Sequence, residues 1–245
     1  MHAPATQTIP VDLLLRAYRA GVFPMADHRN DDEVYWVEPR ERAIIPLDGL
    51  RISSSLGKTL RQDRFRVTCD RDFAGVIAAC AEPREEHAES WISHRIEASY
   101  IALHRSGHAH SFECWDGDRL VGGLYGVAFD RVFCGESMFS RATDSSKVAL
   151  VWLVAAMREA GYRLLDCQFM TDHLASMGAV AMPQSAYVSL LSEAIGAGDG
   201  SADAPGVAGA AGAFPGAGAL PSSVARFASG ASPGKSILQS FTHTS

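Results

Sequence analysis

The chain has 245 residues, 47% hydrophobic and 20% charged, with a formal net charge of −6. That is an ordinary globular composition with enough apolar material for a sizeable core, in one large domain or two small ones. It excludes a protein that coats nucleic acid indiscriminately, and no apolar run reaches the ~18–20 residues that span a bilayer.

The opening MHAPATQTIP has neither the basic n-region nor the apolar h-region of a signal peptide. The five cysteines, Cys69, Cys80, Cys114, Cys134 and Cys167, are odd in number and scattered, without a CxxC pair. They read as reduced core residues of a cytoplasmic protein. Cys167 neighbours Asp166, but strand alternation turns it to the other face.

Residues 10–20 predict an amphipathic helix, with Pro10 at its start, Leu13, Leu14, Ala17 and Tyr18 as its stripe and Gly21 as its stop. Phe23-Pro24-Met25 turns the chain. Short strands follow at 35–37 and 43–47. Trp36 has two readings: a core aromatic, or a stacking platform at a cleft. Six basic residues stand against two acidic ones between Arg51 and Arg71, in a chain that is acidic overall. Lys58 and Arg61 lie on a predicted helix over 55–61. That stretch is either a solvated helix face or a phosphate-binding patch. A strand over 65–69 and a helix over 73–80, capped by Asp72, come next. A helix opens at Trp91-Ile92 and runs to Ser106. His104, His108 and His110 follow a spacing that Gly107 breaks, and no acidic ligand pattern supports a metal there.

Three apolar runs at 120–129, 131–139 and 163–169 read as strands, beginning a sheet at 110–115. Between the last two lies a helical pattern over 145–159, with Asp144 or Ser145 as its cap and Gly161 as its stop. Strand, helix and strand of this length make a βαβ crossover, so the last two strands are expected to be parallel neighbours. Glu136 and Asp166 each sit inside an otherwise apolar strand. A buried carboxylate costs several kcal/mol (roughly) unless paired or hydrogen-bonded. The pair is either a structural network or a site. Asp166 and Gln168, two apart, share a face.

Residues 196–235 are rich in Gly, Ala, Ser and Pro and predict a flexible linker. The tail, 236–245, begins with an alternation at 236–241 that predicts an edge strand docking back on the sheet.

Several motifs follow one another in order: Ala17-Tyr18-x-x-Gly21-x-Phe23-Pro24-Met25, Trp36-x-x-Pro39, Trp91-Ile92, Gly122-Gly123-Leu124-Tyr125-Gly126, Gly135-Glu136-Ser137-Met138-Phe139-Ser140, Ser146-Lys147-x-Ala149-Leu150, and Asp166-Cys167-Gln168 with Asp172-His173-Leu174-Ala175-Ser176-Met177-Gly178-Ala179. Over about residues 10–192 the set resembles the leucyl/phenylalanyl-tRNA–protein transferases. The resemblance implies an α+β chain: a small N-terminal α/β domain over 1–60, then a C-terminal N-acetyltransferase-like mixed sheet with flanking helices over 61–195. It implies transfer of Leu, Phe or Met from aminoacyl-tRNA to the N-terminal α-amine of proteins beginning with Arg or Lys, marking them for N-end-rule degradation. The expected protein is a monomer that needs no cofactor or metal.

On this resemblance the catalytic residues are Asp166, Gln168 and Glu136. Asp166 would orient and polarise Gln168, and Asp166→Ala would lose transfer but keep the fold. Glu136 would lie near the donor's amino group. Leu124, Phe133, Met138, Leu150 and Leu165 would line the donor side-chain pocket. Trp36 and Trp91 would pack against the terminal adenosine, and Lys58 and Arg61 would hold tRNA phosphates. The chain departs from the family pattern at Ser54 and Gly57, where basic residues are usual, and at Gln184, where arginine is usual. Two other readings stand beside this one: an acyl-CoA-dependent N-acyltransferase, and a non-catalytic tRNA- or degron-binding module. The helix-leading loop 140–147 has no glycine and carries Asp144, which serves a pyrophosphate poorly.

Overall fold

The computed structural model describes residues 7–83, 89–196 and 218–242. In chain order its elements are helix α1 (Val11–Arg19), strands β1 (Phe23–Met25), β2 (Tyr35–Val37) and β3 (Glu41–Ile45), helix α2 (Ser54–Arg61), β4 (Arg66–Cys69), α3 (Phe73–Cys80) and α4 (His94–Arg105). Then come β5 (Ala109–Asp116), β6 (Arg119–Phe129), β7 (Val132–Ser140), α5 (Ser145–Glu159), β8 (Leu164–Gln168), α6 (Asp172–Ser176), β9 (Val180–Pro183), α7 (Gln184–Gly196), α8 (Ala219–Ala228) and α9 (Pro233–Ser240).

The architecture is α+β. A seven-stranded mixed sheet runs β4-β5-β6-β7-β8-β3-β9, and β1 pairs with β2 in a separate antiparallel hairpin. Strands β4 to β7 are antiparallel neighbours. Helix α5 then carries the chain over to β8, which pairs with β7 in parallel, as the strand–helix–strand spacing predicts. Strand β3 lies between β8 and β9, so the sheet draws on both sides of the division expected at residue 60. No described helix is long and apolar enough to cross a membrane.

Both faces of the sheet are covered, which is why β6 reads as a near-continuous apolar run, and α5 does so because it lies between the sheet and helices α8 and α9. Helices α2, α5, α8 and α9 bury one face, around Leu124, Phe133, Leu150, Leu165, Leu220 and Ile237. Helices α1, α3, α4 and α7 bury the other, around Leu14, Tyr18, Tyr100, Tyr125 and Tyr187. The start of α5 comes so close to β6 that a Cβ on Gly122 would lie 2.2 Å from Ser145 Oγ. Neither expected cap serves α5: Asp144 sits at φ 67 without a capping bond, and Ser145 Oγ donates to Val121 O and Ala142 O. Asp72 does cap α3 by accepting from Gly75 N. Helix α4 begins at His94 rather than Trp91, because the buried Ser93 Oγ accepts from Ile96 N.

The C-terminal expectation is corrected. Of the expected linker, 197–217 lie outside the described residues. Beyond them stands α8, which buries Leu220 and Val224. The tail docks as helix α9 instead of an edge strand. Leu220 and Val224 are four apart, one helical turn, and the fully buried Ile237 follows Pro233 at the helix start. Six residues of alternation are too few to tell a strand from a short capped helix.

Candidate active site

Strands β7 and β8 share register only where Val132–Cys134 faces Leu164–Asp166. Beyond Cys134 and Asp166 they part, and the gap opens into a cavity of about 730 Å³. Glu136 of β7 and Gln168 at the end of β8 stand at its floor. Gln168 Nε2 donates to Glu136 Oε1 at 2.9 Å. Tyr18 of α1 donates to the same oxygen at 2.8 Å and Tyr100 of α4 to Oε2 at 3.0 Å, and the two phenol oxygens also meet each other. Three donors from three elements therefore hold one carboxylate in place.

Burial pushes the Glu136 carboxyl up to about 7. The hydrogen bonds from Tyr18, Gln168 and Tyr100 oppose that rise, and the charge of Asp166 adds to it. Burial, and then the nearby Glu136 charge, hold both phenols well above their ordinary range. They stay protonated and remain donors.

Asp166 occupies a different place. It is fully buried and does not line the cavity. Arg42 of β3, also fully buried, grips it side-on, with Nε 2.9 Å from Oδ1 and Nη2 2.5 Å from Oδ2. Tyr187 of α7 adds a bond to Oδ2 at 3.2 Å. Burial opposes the charge on Arg42, but the hydrogen bonds and charge of Asp166 outweigh it and raise the guanidinium further. Asp166 and Gln168 do share the side facing α1 and α7, as their spacing predicts. The link between them differs from expectation: Asp166 Oδ1 accepts the Gln168 backbone N–H at 2.8 Å, while the Gln168 side chain goes to Glu136. Asp166 thus shapes the backbone of Gln168 and does not touch its amide. Gln168 has φ 62, and the β3/β8 register shifts there, leaving Cys167 as the extra residue of a bulge. The expectation that Asp166→Ala keeps the fold does not suit this burial, because Arg42 would be left charged and unpaired.

Five of the seven predicted substrate-contacting residues line the cavity: Trp91, Leu124, Met138, Leu150 and Leu165. Phe133 does not. It is fully buried on β7, and its ring fills the space where Gly126 has no Cβ. Trp36 does not either. It faces outward from β2 opposite Pro24, 41% exposed, and Met25 of the same hairpin reaches the cavity instead. Lys58 and Arg61 are exposed on α2 and line no part of the cavity. The Arg61 guanidinium lies over Gly57, 3.4 Å from where a Cβ would stand. Gln184 donates to Gly21 O at 3.2 Å, beside Arg42.

Sequence reasoning missed Arg42, Tyr18, Tyr100 and Tyr187. Arg42 carried the same signal as Glu136 and Asp166, a charge against an apolar strand, but it lay one residue outside the predicted strand. Tyr18 reads from the sequence as an apolar ring in the first helix's stripe, which hides its hydroxyl, and no sequence signal marks Tyr187. Away from the cavity, Cys69, Asp70 and His110 bring possible ligand atoms within 4.8 Å of one another. His110 Nδ1 already bonds Asp70 Oδ2 at 2.7 Å.

An apolar cleft with a carboxylate and an amide converging on its floor is the form of a site that takes a small apolar group and orients its polar end. The chain matches the family model for leucyl/phenylalanyl-tRNA protein transferase over residues 44–192, and the model of that family's N-terminal domain over residues 8–40. A leucyl/phenylalanyl-tRNA–protein transferase of Novosphingobium aromaticivorans is 57% identical over 97% of each chain. Proteins of the same name from Rhizorhabdus wittichii and Zymomonas mobilis are 59% identical over 80% of each chain, and 55% identical over 78% of this chain and 71% of theirs. This chain belongs to the leucyl/phenylalanyl-tRNA–protein transferase family.

Proposed function

We propose that this enzyme transfers Leu, Phe or Met from aminoacyl-tRNA to the N-terminal α-amine of proteins that begin with Arg or Lys, and so marks them for N-end-rule degradation. The observation that carries the reading is the Glu136–Gln168 pair at the floor of an apolar cavity lined by Leu124, Met138, Leu150 and Leu165.

The reaction is aminolysis of an activated ester. The acceptor's neutral α-amine attacks the ester carbonyl carbon. A C–N bond forms, the C–O bond to the terminal ribose breaks, and the ribose hydroxyl leaves with a proton given up by the amine. The acceptor amine has a pKa near ~8, so a useful fraction is neutral at pH 7. The enzyme's task is alignment and charge placement. Glu136, ionised, pairs with the donor's ammonium. The Gln168 amide lies beside it, where it can orient the attacking amine or donate to the developing oxyanion. Trp91 packs on the terminal adenosine. Exposed Lys58 and Arg61 meet tRNA phosphates, which supply affinity without reading sequence.

The finer description of the sheet as N-acetyltransferase-like rests on the family resemblance. Asp144 at the start of α5 disfavours acyl-CoA as donor, since it puts a carboxylate where a pyrophosphate would sit. The test is transfer from tRNA charged with Leu, Phe, Met or Val to a peptide beginning with Arg. Label from Leu, Phe and Met with little from β-branched Val supports the reading. Equal transfer from Val contradicts the pocket assignment.

A further inference from the structure

Arg42 lines no part of the cavity, yet it is fully buried behind it with three strong contacts to Asp166 and Gly21. We propose that Arg42 is a positioning residue for the transfer reaction: it fixes Asp166, and through Asp166 the backbone of Gln168, so that the Gln168 amide stands at the cleft floor. The inference rests on the transferase reading, in which Gln168 and Glu136 meet the reacting groups.

The guanidinium is held in its plane and by two aromatic rings. In the plane, Nε and Nη2 fork onto Asp166, and Nη1 donates to Gly21 O at 3.1 Å. Its carbon lies 4.8 Å from the Phe23 ring centroid and 4.4 Å from that of Tyr187. The end of α1, the hairpin strand β1, strand β3 and helix α7 therefore all converge on one side chain. Gln184 shares the Gly21 carbonyl and extends the frame.

What this frame holds is a strained backbone. Gln168 has φ 62, a conformation that a residue with a side chain keeps only where its surroundings over-determine it. Asp166 Oδ1 supplies that determination by accepting from Arg42 Nε and Gln168 N at once. Ala43, the residue after Arg42, is the β3 partner of Gln168 across the bulge. Side chain and backbone of one short strand thus fix both ends of the Asp166–Gln168 step. A lysine would keep the charge, but its single ammonium cannot fork onto both carboxylate oxygens and reach Gly21 O.

The test is Arg42→Lys in the full chain, with melting temperature, kcat and KM for Leu-tRNA, and amide hydrogen exchange measured together. The expected result is a folded protein whose kcat falls about 30-fold while KM stays within about 2-fold, because the loss is one of alignment. The Gln168 amide should exchange at least about 10-fold faster while the other β8 amides stay protected. A folded variant with unchanged kcat, or a fall in kcat with Gln168 exchange unaltered, overturns the proposal. If Arg42→Lys does not fold, Tyr187→Phe serves, since it removes one bond to Asp166 and keeps the ring against the guanidinium. It should lower kcat about 3-fold and speed Gln168 exchange; no change in either contradicts the proposal. A wild-type protein without transfer activity would sink the transfer reading alone, and the exchange comparison would still test Arg42's hold on Gln168.

Discussion

Gln168 Nε2 and Glu136 Oε1 meet at 2.9 Å across a gap where their two strands no longer pair. The side chains replace the missing backbone ladder, and the cavity opens above them. Gln168→Ala removes the donor that β8 gives to Glu136, and leaves Tyr18 and Tyr100 in place. Transfer should fall on the order of 100- to 1000-fold, the usual cost of losing one aligned donor. Binding of Leu-tRNA should hold, because neither Lys58 nor Arg61 changes. Single-turnover kinetics beside filter binding separates the two, and a variant with normal single-turnover rate would remove Gln168 from the chemistry.

Burial pushes the Glu136 carboxyl up to about 7 in the folded protein, above the ordinary carboxylate value. The sign follows from proton counts. Between the ordinary carboxylate range and about pH 7 the folded state holds a proton that the unfolded state has lost, so stability falls as pH rises through that window. The whole swing is up to about 3 kcal/mol. Activity should move the other way, with kcat/KM rising through about pH 7 as the carboxylate forms. Glu136→Gln should flatten the stability profile and leave kcat/KM with only the rise that the acceptor amine, with a pKa near ~8, imposes. Denaturant melts from about pH 5 to about pH 8 check the first, and a pH–rate series the second.

Asp166→Ala should cost stability as well as activity. It strands a fully buried guanidinium, and breaking such a pair costs about 3–5 kcal/mol. Urea denaturation of the variant gives the number. A loss below about 1 kcal/mol would mean that Arg42 finds another partner or water.

Lys58 and Arg61 are exposed on α2. Lys58→Ala with Arg61→Ala should weaken tRNA binding and lower the slope of log K against log salt by about 2, about one for each phosphate no longer neutralised. An unchanged slope would move the phosphate surface elsewhere.

Much of this was legible in the chain. Strands β6, β7 and β8 and helix α5 carry largely apolar runs bounded by Asp-Gly, Asp130 and Gly161, so their order forced a βαβ crossover. Glu136 and Asp166 stood out because charge inside an apolar strand needs a reason. What stayed hidden depends on contacts between distant residues. Tyr18 and Tyr100 lie 82 positions apart, and only the folded chain turns both hydroxyls onto Glu136. Arg42 became a site feature only when β3 was inserted beside β8. The bulge at Cys167 redirected the link from Asp166 to a backbone N–H. Trp36 carried the stacking chemistry, but the register of its hairpin gives the cavity to Met25. Helices α8 and α9 were hidden by composition, since a few apolar residues among Gly, Ala and Ser declare themselves only against a ready core.

The most direct test of the account is an acyl-transfer assay with the purified protein, offering labelled Leu-tRNA and labelled acetyl-CoA in parallel to peptides that begin with Arg, Lys or Ala. The account predicts label from Leu-tRNA on the Arg and Lys peptides and none on the Ala peptide. Label from acetyl-CoA, or equal labelling of all three peptides by Leu-tRNA, would contradict it.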